Sequence, residues 1–180
     1  MPLTTIVPTS DILTTDWYEY GPGTAFYEQV NEGIGSYDDN TTEIGTSVDS
    51  ATIKMGLSAL PGNFSFANTV TYSFRAYATS GKATRYIKFR IYGSSGTSAI
   101  TSETTISLAT QDYTTFSSTM AITGTNSASS WTNSQIHIYW DSGGTGGGRI
   151  STIDFSIDYT ATSSGGAVSD YYYKNLVGRM

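Results

Sequence analysis

Between Val70 and Tyr92 the chain reads VTYSFRAYATSGKATRYIKFRIY, and apolar and polar side chains alternate through most of it. Val70, Tyr72, Phe74, Ala76 and Ala78 fall on one face of a strand, with Thr71, Ser73, Arg75 and Tyr77 on the other. Farther on, Ile87, Phe89 and Ile91 point one way, and Tyr86, Lys88, Arg90 and Tyr92 the other. A period of two means strands with one buried face and one wet face. The connection TSGKAT is short and holds Gly81, which suits an antiparallel hairpin with a loose loop. Such a hairpin has an apolar side that the rest of the chain must cover with a second sheet.

The same pattern recurs toward the C-terminus. Ile136, Ile138 and Trp140 alternate with Gln135, His137 and Tyr139. Ile153, Phe155, Ile157 and Tyr159 alternate with Asp154, Ser156 and Asp158. Both segments are candidates for the opposing sheet or its neighbours. Weaker strands are expected at 25–30, 53–57, 98–109 and 114–123, separated by turns at Pro61-Gly62, GSSG and DSGGTGGG. No stretch sustains a helical period. Strands about ten residues apart argue an all-β, antiparallel β-sandwich of about eight strands, jelly-roll-like, with an immunoglobulin-like sandwich as the alternative. The expected layout is an N-terminal arm at 1–15, the sandwich at 16–162, and a tail at 163–180 beyond the SSGGA hinge.

A length of 180 residues suits one domain with a real core. The chain contains no cysteine, so disulfides, thiolate metal sites and a cysteine nucleophile are excluded. Its 15 acidic and 9 basic side chains give a formal net charge of −6, and the basic residues are scattered, which argues against a nucleic-acid partner. No run approaches the roughly 20 apolar residues of a membrane helix, so no membrane partner is expected. The opening MPLTTIVPTSDILTT lacks a basic segment followed by a long apolar one, and is not read as a secretory signal.

Catalytic chemistry has little to stand on. The single histidine, His137, lies on the outer face of its strand with no sequence signature for an orienting carboxylate or a nucleophile. Asp38, Asp39 and Glu43 place oxygen ligands close enough for Ca²⁺, but without the spacing of an EF-hand loop; a turn closed by side-chain-to-backbone hydrogen bonds is the preferred reading. Asp154 and Asp158 stand two alternations apart on one strand and lack a close second carboxylate for glycosidic chemistry. No cofactor is expected.

The functional excess is aromatic. Tyr77, Tyr86, Tyr92 and Tyr139 fall on faces read as wet, Trp131 opens a strand after a loop, and Tyr171, Tyr172 and Tyr173 lie in the tail. Exposed Tyr and Trp bring contact area at small entropic cost, so they mark interfaces or sugar-stacking surfaces. With Arg75, Lys88 and Arg90 they form a mixed Arg/Tyr face suited to an acidic partner surface or to the protein's own tail.

The run from Trp17 to Thr46, with its Gly-containing turn, Tyr27 and Val30, and the sequence DDNTTEI, resembles a pattern in jelly-roll-like structural proteins of tailed phages, as does the pair YSFRAYA and YIKFRIYG. The resemblance implies a non-enzymatic virion protein, most simply a capsid decoration (cement) protein, made in the host cytoplasm and binding the major capsid protein or other virion proteins through sandwich and arms. A homo-oligomer, with a trimer as the expected form, would follow from the lattice it covers. The alternative is a carbohydrate-binding or adhesion module that stacks sugars on its exposed Tyr and Trp.

Overall fold

The computed structural model describes residues 1–21, 25–32, 42–79, 85–108, 112–143 and 146–162. Among them the strands are β1 (Leu3–Ile6), β2 (Pro8–Leu13), β3 (Tyr18–Tyr20), β4 (Glu43–Thr46), β5 (Thr52–Leu57), β6 (Phe64–Ala78), β7 (Arg85–Tyr92), β8 (Thr104–Leu108), β9 (Thr114–Met120), β10 (Gln135–Asp141) and β11 (Gly148–Ala161). One sheet has the order β3-β4-β11-β6-β9, with β1 also paired to β11; the other has the order β2-β5-β10-β7-β8. We call them sheet A and sheet B. The eight strands β4 to β11 supply the rows β4-β11-β6-β9 and β5-β10-β7-β8, the two interleaved four-stranded sheets of a jelly roll. All pairings between these strands are antiparallel. The protein is an all-β, antiparallel jelly-roll sandwich.

The alternation in Val70–Tyr92 is realised, but the hairpin is not. Strand β6 pairs with β11 and β9 in sheet A, and β7 pairs with β10 and β8 in sheet B. Alternation determines which side chains turn inward; it is silent on whether two successive strands lie side by side or face each other across the core. Here they face each other. Phe74 of β6 stacks on Phe89 of β7 with ring centroids 4.3 Å apart. Phe155 of β11 meets Phe74 edge-on at 6.1 Å, and Tyr72 meets Phe89 at 5.0 Å. Ile87, Ile91, Ile136, Ile138, Trp140, Ile153 and Ile157 complete a fully buried core around these rings. The segments 136–140 and 153–159 are thus neighbours of the two strands, β10 beside β7 and β11 beside β6.

Residues 3–6 and 8–13, within the expected arm, pack along the domain as two strands. Leu3–Ile6 adds to β11 in sheet A, and the chain then crosses at Val7 so that Pro8–Leu13 adds to β5 in sheet B. Val7 marks the crossing, its N–H donating to Ser58 Oγ at 3.2 Å while its carbonyl accepts from Ser58 N–H at 2.8 Å. Strand β2 shows no sequence alternation because it is an edge strand, exposed along nearly its whole length after Pro8. A second departure concerns residues 25–30, expected as a strand: Phe26–Gln29 is a 3-10 turn. Its leading N–H groups, Phe26 and Tyr27, both donate to the Asp11 carboxylate at 2.9 Å, so β2 caps the turn. The same segment reaches β11, whose Ile153 N–H donates to Val30 O at 2.9 Å, and Asp154, expected to point outward, is 8% exposed.

One glycine is obligatory for the close approach of the sheets. A methyl group at Gly148, where β11 begins, would overlap the Trp140 ring of β10. Deleting the central ring is the direct test of the core: Phe74→Ala should lower unfolding stability by about 3–5 kcal/mol in a denaturant titration, since Phe74 is fully buried.

Candidate functional site

The jelly roll separates the sequence-predicted interface residues onto opposite outer faces. Arg75 and Tyr77 belong to β6 and lie on sheet A; Tyr86, Lys88, Arg90 and Tyr92 belong to β7, and with Tyr139 of β10 they lie on sheet B. The single mixed Arg/Tyr face expected from a hairpin therefore does not exist. Trp131 is not at any surface. It ends a short helix, α1 (Ala128–Trp131), and is 1% exposed, its Nε1–H donating to Asn126 Oδ1 at 2.9 Å. The helix forms because Ser127 caps it reciprocally with Ser130, a local signal that the expectation of a strand start overlooked. Tyr171, Tyr172, Tyr173, Asp38 and Asp39 lie outside the described residues. Glu43, the remaining Ca²⁺ candidate, is buried and ion-paired to Arg149, so its carboxylate serves the fold.

Sheet A's outer face is a closed network. The Arg149 guanidinium of β11 pairs with Glu43 of β4 and lies 3.7 Å from the Tyr20 ring centroid, with Tyr77 at 5.9 Å. Burial, then the hydrogen bond and charge of Tyr18, pushes the Tyr20 hydroxyl up to about 12. Arg75 donates to Thr115 Oγ1 at 3.3 Å and sits 5.5 Å from the Tyr113 ring, which in turn packs on Tyr77 at 4.5 Å. These contacts hold β3, β4, β6 and β11 together, with Arg149 Nε and the Tyr113 hydroxyl left buried without a hydrogen-bond partner.

Sheet B's outer face is open. Thr52, Lys88, Arg90, Tyr92, Glu103, His137 and Tyr139 line a depression of about 210 Å³. Three of the lining side chains, Tyr92, His137 and Tyr139, carry aromatic rings. Tyr92 of β7 and His137 of β10 stack with ring centroids 4.1 Å apart and planes 24° from parallel. Tyr139 lies two residues along the same strand and donates through its hydroxyl to Ser50 Oγ at 2.8 Å. Lys88, opposite Tyr139 in the ladder, is paired with Asp141 at 2.7 Å and sits 5.7 Å from the Tyr139 ring. At the other end Gln135 places its Oε1 3.2 Å from His137 Nε2 and donates to Ser94 O at 2.7 Å, tying the 93–98 loop to the sheet. Gly96 turns that loop with φ +67°, close to both Gln135 and His137.

His137 is the residue whose role sequence reasoning missed: its ring stacks on Tyr92 diagonally across the β10–β7 ladder, a contact that strand parity alone does not show. The register sets it opposite Lys54 of β5 and Arg90 of β7. Burial first, and the Lys54 charge second, pull its imidazole down to about 4, so the ring is neutral near pH 7.

No family model matches the chain, and no curated protein matches it. Solved structures do. The C-terminal CBM6 of LamC, a marine laminarinase from Zobellia galactanivorans, is 12% identical with a TM-score of 0.49, over 87% of this chain and 100% of that one. The CBM36-1 domain of a multidomain xylanase from the hindgut metagenome of Trinervitermes trinervoides is 11% identical with a TM-score of 0.48, over 89% of this chain and 100% of that one. The enzymatically active domain of tailspike protein 4 of bacteriophage CBA120 is 13% identical with a TM-score of 0.48, over 81% of this chain and 20% of that one. These are likenesses of fold.

The low His137 value has a checkable sign. The unfolded imidazole takes up a proton near its ordinary value of about 6.5, whereas the folded ring resists until about pH 4. Stability should therefore fall as pH drops through that window, because the unfolded chain binds the extra proton first. His137→Gln should remove that part of the slope in denaturant titrations run from pH 7 to pH 4.

Proposed function

We propose that the chain is a non-catalytic carbohydrate-binding module whose sheet B face takes a polysaccharide segment. The observation that carries this reading is the single depression lined both by the aromatic Tyr92, His137 and Tyr139 and by the polar Thr52, Lys88, Arg90 and Glu103. A pyranose has apolar C–H faces and a rim of hydroxyls. Ring stacking below and hydrogen-bonding groups around it match both features. Tyr139 and His137 are about 7 Å apart along β10, so a sugar chain laid along the strand meets both. His137 is poorly placed for acid–base work, because its Nε2 faces the Gln135 amide and its ring stays neutral.

The decoration-protein reading, which expected binding to a shell through the sandwich and terminal arms, draws no such support from the fold. Residues 3–13 pair with β11 and β5 of the domain itself, and residues 163–180 lie outside the described residues. The aromatic face, by contrast, is formed and unoccupied by any other element of the chain among the described residues.

Affinity electrophoresis through a panel of soluble polysaccharides tests the proposal. At least one should retard the protein, and Tyr92→Ala and Tyr139→Ala should each weaken that retardation about tenfold or more, equivalent to ~1.4 kcal/mol. Trp131→Ala should act differently, lowering stability by about 3–5 kcal/mol through the cavity it leaves. If no polysaccharide slows the wild-type protein, the reading is wrong.

A further inference from the structure

The geometry points to an acidic polysaccharide, bearing carboxylate or sulfate groups, as the ligand of this face; the inference rests on the carbohydrate-binding reading and names its substrate class. The chain as a whole carries a formal net charge of −6, with 9 basic residues in 180. Three of those nine, Lys54, Lys88 and Arg90, project from two strands that flank β10 in sheet B. An acidic protein that gathers a third of its cations on the open face beside these aromatic rings is arranged for a negative ligand.

The partners of these cations sharpen the point. Lys88 is neutralised by Asp141. Arg149 and Arg75, on the opposite face, are taken up by Glu43, Thr115 and neighbouring tyrosine rings. Arg90 and Lys54 are different: among the described residues neither has a carboxylate within ion-pair distance. Arg90 Nε is buried without a hydrogen-bond partner, as is Arg149 Nε on the opposite face, so a ligand would meet the terminal nitrogens of Arg90. The strand register puts Lys54, His137 and Arg90 in one row across β5, β10 and β7, about 10 Å from end to end. The central member is an uncharged stacked ring. A sugar seated beside the Tyr92–His137 pair would hold its carboxylate or sulfate between the two cations, with the terminal nitrogens of the Arg90 guanidinium donating to it. Glu103, exposed at the rim, is the one carboxylate lining the depression, and it would disfavour anions approaching from the β8 side. The ligand's charged edge would then lie toward β5.

Binding of the full chain to polygalacturonate, chondroitin sulfate and a neutral glucan, each at low and high salt, tests the inference. At least one acidic polymer should bind, the neutral glucan at least tenfold more weakly. Arg90→Gln and Lys54→Gln should each reduce acidic binding about tenfold, as should raising ionic strength from about 0.05 to 0.5 M, because salt screens these exposed charges. Arg90→Lys, which keeps the charge but not the fork, should fall between wild type and Arg90→Gln. Circular dichroism melts establish that each variant is folded, and Lys54→Gln decides the matter if Arg90→Gln is not. A neutral glucan bound as tightly as the acidic polymers, with both variants unchanged, would overturn the acidic assignment and leave the carbohydrate-binding reading standing. Binding to none of the three, while another neutral polysaccharide of the wider panel binds, does the same. No binding to any polysaccharide overturns both.

Discussion

The stacked pair Phe74 and Phe89 joins the two sheets at their centre, and much else in the structure is disposed around it. Each ring comes from the middle of a strand with a partner on both sides: β6 between β11 and β9, β7 between β10 and β8. Two rings at van der Waals contact set the separation of the layers, and Tyr72 and Phe155 pack edgewise into the same layer. With that separation established, every residue one step along either strand must point outward. Arg90 and Tyr92 are aimed at solvent on sheet B because Phe89 and Ile91 are aimed at the core. The open face is in this sense the reverse side of the core.

The inward faces of β6, β7, β10 and β11 were legible in the sequence, since strict alternation over many residues leaves one choice of buried face. The strand order was legible only as a class. Pairing depends on contacts far apart in the chain, and a jelly roll sends successive strands to opposite sheets, so the natural guess that 70–78 and 86–92 form a hairpin failed. The short elements were least visible. The 3-10 turn at 26–29 is held by Asp11, fifteen residues away in the chain, and β1 and β2 are edge strands whose open sides carry no alternation.

The candidate site shows the same division. Tyr92, Tyr139, Lys88 and Arg90 were identifiable because their strand parity put them outside. What could not be read was that Arg75 and Tyr77 share parity with them and yet occupy the far side of the molecule. Nor did parity reveal that His137 stacks on Tyr92, since that contact is made across two strands 45 residues apart in the chain. Trp131 was misplaced for a simpler reason: a large indole after a polar loop looks exposed unless the Ser127–Ser130 cap is recognised as the start of a helical turn.

The hydrogen bonds around the sheet B face have a consequence for how any ligand is received. Tyr139 is anchored on Ser50, Lys88 on Asp141, and Gln135 on both His137 and the Ser94 carbonyl. Side chains already held in one rotamer lose little freedom when a partner arrives, and a floor built on strands does not need to rearrange. Such a surface behaves as a template: it selects among ligand shapes by fit, and the conformational cost of association falls mainly on the flexible partner.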